Sequence, residues 1–279
     1  MLILAHLGQS HAGWNLVTMS VLAATAWLFL RGPGGRSERR QFLFVTGLIA
    51  LMAALASPLE TLAEELASAH MFQHVLLLLV AAPLLAASRP VEGLVGGLPR
   101  RWRKTVGRVR RMTRLTPEKR RLVTPVLVWM AYGGALWVWH AAGLYELALQ
   151  SSVVHVVEHL CFIVAGVAFW SLVLVGRRRP DLSPGLRGLM VFTTAFHSVL
   201  LAALITFADR PWYDAYAETA AHWGLTAIDD QRLAGLLMWI PGGLVYTGTG
   251  LWILLGWVRN TGEGLGPDAK PATQGSQRR

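Results

Sequence analysis

The sequence predicts an all-α, polytopic membrane protein: one bundle of seven transmembrane helices, N-terminus outside and C-terminus in the cytoplasm. Three observations carry this. The 279 residues are 53% hydrophobic with a mean hydropathy of +0.43, too apolar for one soluble domain of that length. Seven apolar runs approach or exceed the roughly 20 residues a helix needs to cross a bilayer, and Glu158 is the one acidic or basic residue inside them. The net charge of +10 falls in short blocks between the runs, which marks topology determinants rather than a nucleic-acid surface. No nucleic-acid partner is expected.

Taken in order, the first run is Trp14 to Leu30, with no Lys or Arg before it and Arg31 directly after it. It lacks the basic start of a cleavable signal and is expected to remain as an anchor. The second, Gln41 to Leu59, follows a loop with four arginines. The third, His70 to Ser88, leads into Arg89 to Arg121, which holds twelve Lys or Arg residues. With Trp102 and Val106 among its arginines, that segment is expected to lie as an amphipathic helix on anionic lipids. Leu122 to Tyr145 and Ser152 to Gly176 are the fourth and fifth runs, and Gly188 to Ala208 is the sixth. Trp212, Tyr213, Tyr216 and Trp223 in the next loop read as an interfacial aromatic belt. The seventh run, Leu233 to Val258, contains Pro241-Gly242-Gly243, a kink signal, and Asp229-Asp230-Gln231 ahead of it suits a cap for its own N-terminus or a cation attractor. Residues 1–259 thus form a single membrane domain, and the polar tail 260–279 is expected to be disordered.

Cytoplasmic loops collect Lys and Arg. Of the 26 basic residues, 24 lie in the blocks after the first, third, fifth and seventh runs. The other side has only Arg210 and Arg232, together with nine carboxylates: Glu60, Glu64, Glu65, Glu146, Asp209, Asp214, Glu218, Asp229 and Asp230. This sets the N-out, C-in orientation.

On that topology every histidine falls in the outer half or at the midplane. His70 and His74 open the third span, His140 closes the fourth, His155 and His159 open the fifth, and His197 sits near the middle of the sixth. His6, His11 and His222 lie outside or at the outer boundary. His70 and His74 are four apart, as are His155 and His159, so each pair projects from one helix face. Glu158 lies near the second pair, and a carboxylate inside a span normally faces a partner or a cavity; it suits a role orienting a ligating imidazole. One buried histidine is more often a hydrogen-bonded interhelical residue. Two spaced pairs plus His140 and His197 in one half of the bilayer point to a metal or cofactor site.

Imidazole suits copper, zinc and iron, and the thioethers of Met71 and Met238 would favour Cu(I), although methionine in an apolar helix usually only packs. Cys161 is the only cysteine, which excludes an intramolecular disulfide and a cysteine-built metal site. No lysine lies in a span, which excludes a retinal Schiff base. His155-Val-Val-Glu158-His159 also matches H-x-x-E-H, two zinc ligands and a general base in inverted zinc proteases. Such an enzyme would need a third ligand, for which Glu146 and His197 are available.

Taken together, the motifs resemble the CtaG-type (caa3-type) cytochrome c oxidase assembly factors over about residues 40 to 257. The resemblance is carried by His70-Met71-Phe72-Gln73-His74 running on to Ala82-Pro83-Leu84-Leu85, by Trp137-Val138-Trp139-His140 with Leu144-Tyr145, and by His155-x-x-Glu158-His159. It continues through His197-Ser198, Ile205-Thr206-Phe207, Pro211-Trp212-Tyr213, Asp230-Gln231-x-Leu233-Ala234-Gly235 and Met238-Trp239-Ile240-Pro241. One departure is Ala142, where the family usually has proline.

The resemblance implies a seven-span, non-catalytic protein of a bacterial-type inner or cytoplasmic membrane that matures a copper-containing terminal oxidase of the respiratory chain. Its partner would be a cytochrome c oxidase subunit and its cofactor or cargo copper, with zinc as the alternative. The expected metal ligands are His70, His74, His155 and His159, with His140 and His197 as further ligands and Glu158, Met71 and Met238 in support. Three rival classes remain: a copper permease, which the absence of matching polar residues in the cytoplasmic half disfavours; a haem or redox protein with histidine axial ligands; and an intramembrane zinc metalloprotease.

Overall fold

The computed structural model describes residues 2–112, 117–175 and 182–262. Residues 113–116, 176–181 and 263–279 lie outside the described residues, as do the side chains of residues 1–14, 109–122, 175, 261 and 262, including His6 and His11. No strand occurs among the described residues. Twelve helices carry the architecture: α1 Leu2–Arg31, α2 Glu38–Leu55, α3 Pro58–Glu65, α4 Ala67–Ser88, α5 Pro90–Gly97, α6 Arg100–Met112, α7 Pro117–Trp139, α8 Ala142–Gln150, α9 Ser152–Leu174, α10 Pro184–Thr206, α11 Thr219–His222 and α12 Ala227–Gly262.

Four of these, α4, α9, α10 and α12, are long and apolar enough to cross a membrane, and a fifth span arises if α2 and α3, bent by 43°, count as one. The first and fourth expected spans correspond to shorter apolar stretches, Asn15–Arg31 and Val123–Trp139. The chain is thus an all-helical protein with four to five spans by length and composition. Its outward faces match a lipid solvent: Phe192, Phe196 and Leu244 are each at least two-thirds exposed, whereas backbone polar groups are closed within helices.

Two helix ends depart from the sequence reading. The second run breaks at Ala56, because Ser57 caps a new helix by accepting from the Leu59 N–H (3.1 Å) and Pro58 takes its first turn, where its missing donor costs nothing. The fourth run stops at Trp139 rather than reaching Tyr145. There the His140 ring donates Nδ1–H to the Leu136 carbonyl at 2.6 Å, and the Tyr213 hydroxyl donates to the His140 carbonyl at 3.1 Å, so two terminal carbonyls are satisfied from outside the helix. Ala142 then occupies the first turn of α8, a place a proline would also accept. α12, in contrast, runs unbroken through Pro241.

α4 is the central element. It widens to a π-turn over Leu76–Ala81 just ahead of Pro83, whose ring cannot tolerate the ordinary ladder. The Leu78 carbonyl is taken by the Trp170 indole N–H at 2.8 Å. A second π-turn, Ser171–Val175 in α9, is matched by Arg187, whose guanidinium donates to the Val173 carbonyl at 3.0 Å. α4 is also capped at both ends by other helices. The Asp230 carboxylate of α12 accepts from the N–H groups of Ala67 (2.7 Å) and Ser68 (3.1 Å). Arg40 of α2 donates to the carbonyls of Ser88 (2.8 Å) and Arg89 (3.1 Å). Each charge has the sign that favours its end of the helix dipole. Asp230 therefore caps α4 rather than its own helix, which Thr226 caps through the Asp229 N–H at 3.2 Å.

The main core lies where α4, α7, α9, α10 and α12 meet, around Phe162, Phe169, Trp170, Tyr132 and Ile205. A smaller one joins α1, α2 and α4 through the stacked rings of Phe29 and Phe44, 3.8 Å apart. Gly235 sets the α10–α12 distance: a Cβ there would lie 2.9 Å from the Ala202 carbonyl oxygen and from the Thr206 backbone nitrogen.

Candidate metal centre

The first turns of α4 and α9 face each other inside the bundle, and the four-residue spacing puts their histidines on the facing sides. His70, His74, Glu158 and His159 are all buried, and one ligand atom from each lies within 4.8 Å of the others. Glu158 is completely inaccessible; its oxygens are 3.4 Å from His74 Nε2 and 3.7 Å from His70 Nε2, too far for good hydrogen bonds. Atoms bonded tetrahedrally at about 2.0–2.1 Å to one ion lie roughly 3.3 Å apart. The two carboxylate–imidazole distances are close to that spacing, and the four ligand atoms together spread to 4.8 Å.

Neighbouring groups fix the rings. Tyr216 donates its hydroxyl to the Ala63 carbonyl at 3.0 Å, so its oxygen is free to accept from His70 Nδ1 at 3.2 Å. Burial pushes the Tyr213 and Tyr216 phenols well above their usual range, which keeps both as O–H donors. With Nδ1 of His70 as donor, its Nε2 lone pair is left facing Glu158. Tyr145 stacks on Tyr213 with centroids 4.0 Å apart and closes the same side.

The expected ligands therefore divide. His70, His74 and His159 come together, and Glu158 stands at ligand distance beside them instead of behind a ring. His155 contacts the group, its ring centroid 4.2 Å from His159 and 5.1 Å from His70, but its Nδ1 faces Glu60 at 3.7 Å. Within H-x-x-E-H, His155 therefore directs Nδ1 toward α3 while its ring stays against His159 and His70. His140 lies on the deep side, 5.5 Å from His74 between centroids, with Nε2 3.2 Å from Met71 Sδ. Met238 lines a small cavity with these residues. His197 is not part of the cluster: its ring lies against Gly133 and Trp129 of α7. The expected aromatic belt also changes, since Tyr213 and Tyr216 are buried over the cluster while Trp223 stays exposed.

Three contributors were not read as site residues from the sequence. Glu60 binds the Gln73 amide at 2.6 Å and faces His155; its only local signal is the Ser57-Pro58 helix start that folds α3 back. Tyr145 arrives on α8 and Tyr216 from the segment between α10 and α11, and nothing local in the sequence aims either ring at His70.

The donor set, three imidazoles and a carboxylate, fits a transition metal of the zinc or copper type. Seven buried atoms of the cluster have no hydrogen-bond partner among the described residues: Nε2 of His70, both nitrogens of His74, Nε2 of His155, both oxygens of Glu158 and Nε2 of His159. Neither comparison, with curated proteins or with solved structures, gives a match. The profile of the cytochrome c oxidase caa3 assembly factors does match, over residues 19–260, and contains every member of the cluster. The chain belongs to that family of assembly factors.

Proposed function

We propose that the protein serves oxidase assembly by holding a transition-metal ion, copper for a copper-containing oxidase, between His70, His74, Glu158 and His159, and by passing it to a cytochrome c oxidase subunit. It acts as a carrier, not as an enzyme. The observation that carries this reading is the set of buried lone pairs aimed at one another. Leaving such groups without partners costs roughly 1–3 kcal/mol each, a cost that a shared cation offsets. The positive-inside pattern of the basic blocks at the other end of the spans supports a cluster in the extracytoplasmic half of a bacterial-type cytoplasmic membrane, the side from which copper would be delivered.

The test is metal loading of the purified full chain in detergent, with Co(II) as a spectroscopic probe and with copper content measured after copper-replete growth. One equivalent of Co(II) per chain is expected at this cluster, lost in Glu158→Gln and in His70→Ala/His74→Ala. Wild-type protein that contains no metal and takes up none refutes the reading. In cells, loss of the gene should lower oxidase activity, and added copper should restore it.

A further inference from the structure

On the deep side of the cluster, His140 and Met71 make a contact that neither packing nor hydrogen bonding explains. His140 Nδ1 is 2.6 Å from the Leu136 carbonyl oxygen. A carbonyl only accepts, so Nδ1 carries the proton, and the neutral ring has a bare lone pair on Nε2. That lone pair points at the Met71 sulfur, itself only an acceptor, at 3.2 Å. Both side chains are about 1% exposed. Two acceptors in contact require an electrophile. A second proton would make a buried imidazolium, and no carboxylate is paired with His140 among the described residues; such a charge within the bundle is costly.

A soft cation satisfies both lone pairs. Bonds of about 2.0 Å to nitrogen and 2.3 Å to sulfur, drawn to atoms 3.2 Å apart, meet at about 95°, an angle that three- and four-coordinate ions accept. The space for it is present. A cavity of about 20 Å³, enough for one small ion or water, has an aliphatic wall from Val75, Leu78, Leu79 and Leu136, and Met71, His74, His140 and Met238 border it as well. Met238 and His74 border the same cavity, so a second thioether and a further imidazole are at hand. We infer that Met71, His140 and Met238, with His74 at its edge, form a second metal site, selective for Cu(I), beside the harder His70/His74/Glu158/His159 site. Thioether and imidazole select Cu(I) over Zn(II), whereas three imidazoles and a carboxylate do not.

The experiment uses the full chain in detergent, loaded anaerobically with Cu(I) in competition with bicinchoninate. The protein is made with selenomethionine, so that copper-edge X-ray absorption reports any Cu–Se bond without altering the fold. A Cu–Se shell is expected in the parent protein, lost in Met71→Leu/Met238→Leu. Cu(I) affinity should fall more than about tenfold in Met71→Leu, a change of the size seen when groups supporting a metal are removed, with Co(II) binding at the neighbouring site retained. A first shell of nitrogen and oxygen alone, an unchanged Cu(I) affinity in Met71→Leu, or no Cu(I) uptake each overturns the inference. Loss of Co(II) uptake in the parent, with the Cu–Se shell present, would instead refute the first site and leave this one standing.

Discussion

Removing the Asp230 side chain should loosen the helix that carries the site. Its two oxygens take the N–H groups of Ala67 and Ser68 at 2.7 and 3.1 Å, and both residues are buried, so water does not replace the lost acceptor. Each stranded N–H costs about 1–3 kcal/mol, which gives about 2–6 kcal/mol for Asp230→Ala. Removing a buried charge recovers part of its desolvation, placing the net effect near the lower end of that range. Even 2 kcal/mol lowers the folded-to-unfolded ratio about thirtyfold. Asp230→Asn keeps one acceptor oxygen and should lose about half as much. Thermal unfolding of the detergent-solubilised protein gives the global effect. Hydrogen exchange of peptides across residues 64–75 gives the local one, with faster exchange at the first turn of α4. Metal affinity should fall as well, since His70 lies on the next turn. A shift below about 0.5 kcal/mol, with unchanged exchange at Ala67 and Ser68, would show that Asp230 does not anchor α4.

Three further outcomes follow from the packing. Glu158→Gln is isosteric and removes the one carboxylate of the centre, so it should abolish Co(II) uptake while leaving the chelator-treated protein at least as heat-stable as the parent; a large loss of stability in chelator would show the carboxylate to be structural. Tyr216→Phe strands the Ala63 carbonyl and releases His70 Nδ1. It should cost about 1–3 kcal/mol and weaken metal binding roughly 10–100-fold, measured by competition with a chelator, and an unchanged affinity would show that the phenol does not orient the ring. Gly235→Ala drives a methyl group against the α10 backbone and should destabilise by about 1–3 kcal/mol; a thermal midpoint equal to the parent's would show that α10 and α12 separate freely.

The apolar helices were legible from composition, four to five of the seven expected runs being long and apolar enough to cross a membrane, and the histidine pairs were legible from helical periodicity. Four-residue spacing puts His70 and His74 on one face whatever surrounds them, and the apolar runs need no tertiary information. The end of α7 was not legible, since it depends on Tyr213, 73 residues away from His140. His197 shows a different limit. Its depth in the sixth span was read from position alone, but depth says nothing about direction around the helix. The buried stripe of α10 runs Met190, Val191, Thr194, Ser198, Leu201, Ala202, Ile205, and His197 stands one residue, about 100°, off it. Ser198 takes the place on the cavity wall. The stripe itself is read from helical periodicity, but an all-apolar span hides it, because lipid-facing Phe192 and Phe196 are as hydrophobic as the core.

The unsatisfied side-chain groups of the cluster contrast with the backbone of α4. Its first two N–H groups, its last carbonyls and the Leu78 carbonyl in its π-turn all find partners on other helices. Gln73, between the two histidines, gives its amide to Glu60 and to the Ala54 carbonyl. A helix packed this closely does not leave His70 Nε2 and both His74 nitrogens unpaired for lack of neighbours: Glu158 is within 3.7 Å of both residues. The spacing is instead held open. α4 is fixed at each end by a charge from another helix, and Gly166 of α9 lets that helix approach until a Cβ there would sit 2.9 Å from Ala82 Cβ. The backbones can move no closer at Ala82 and Gly166, beyond the histidines toward Pro83, so their rings cannot collapse onto the carboxylate. Rigid supports around unpaired donors are what a binding site requires, since an ion then gains its ligands without ordering the protein.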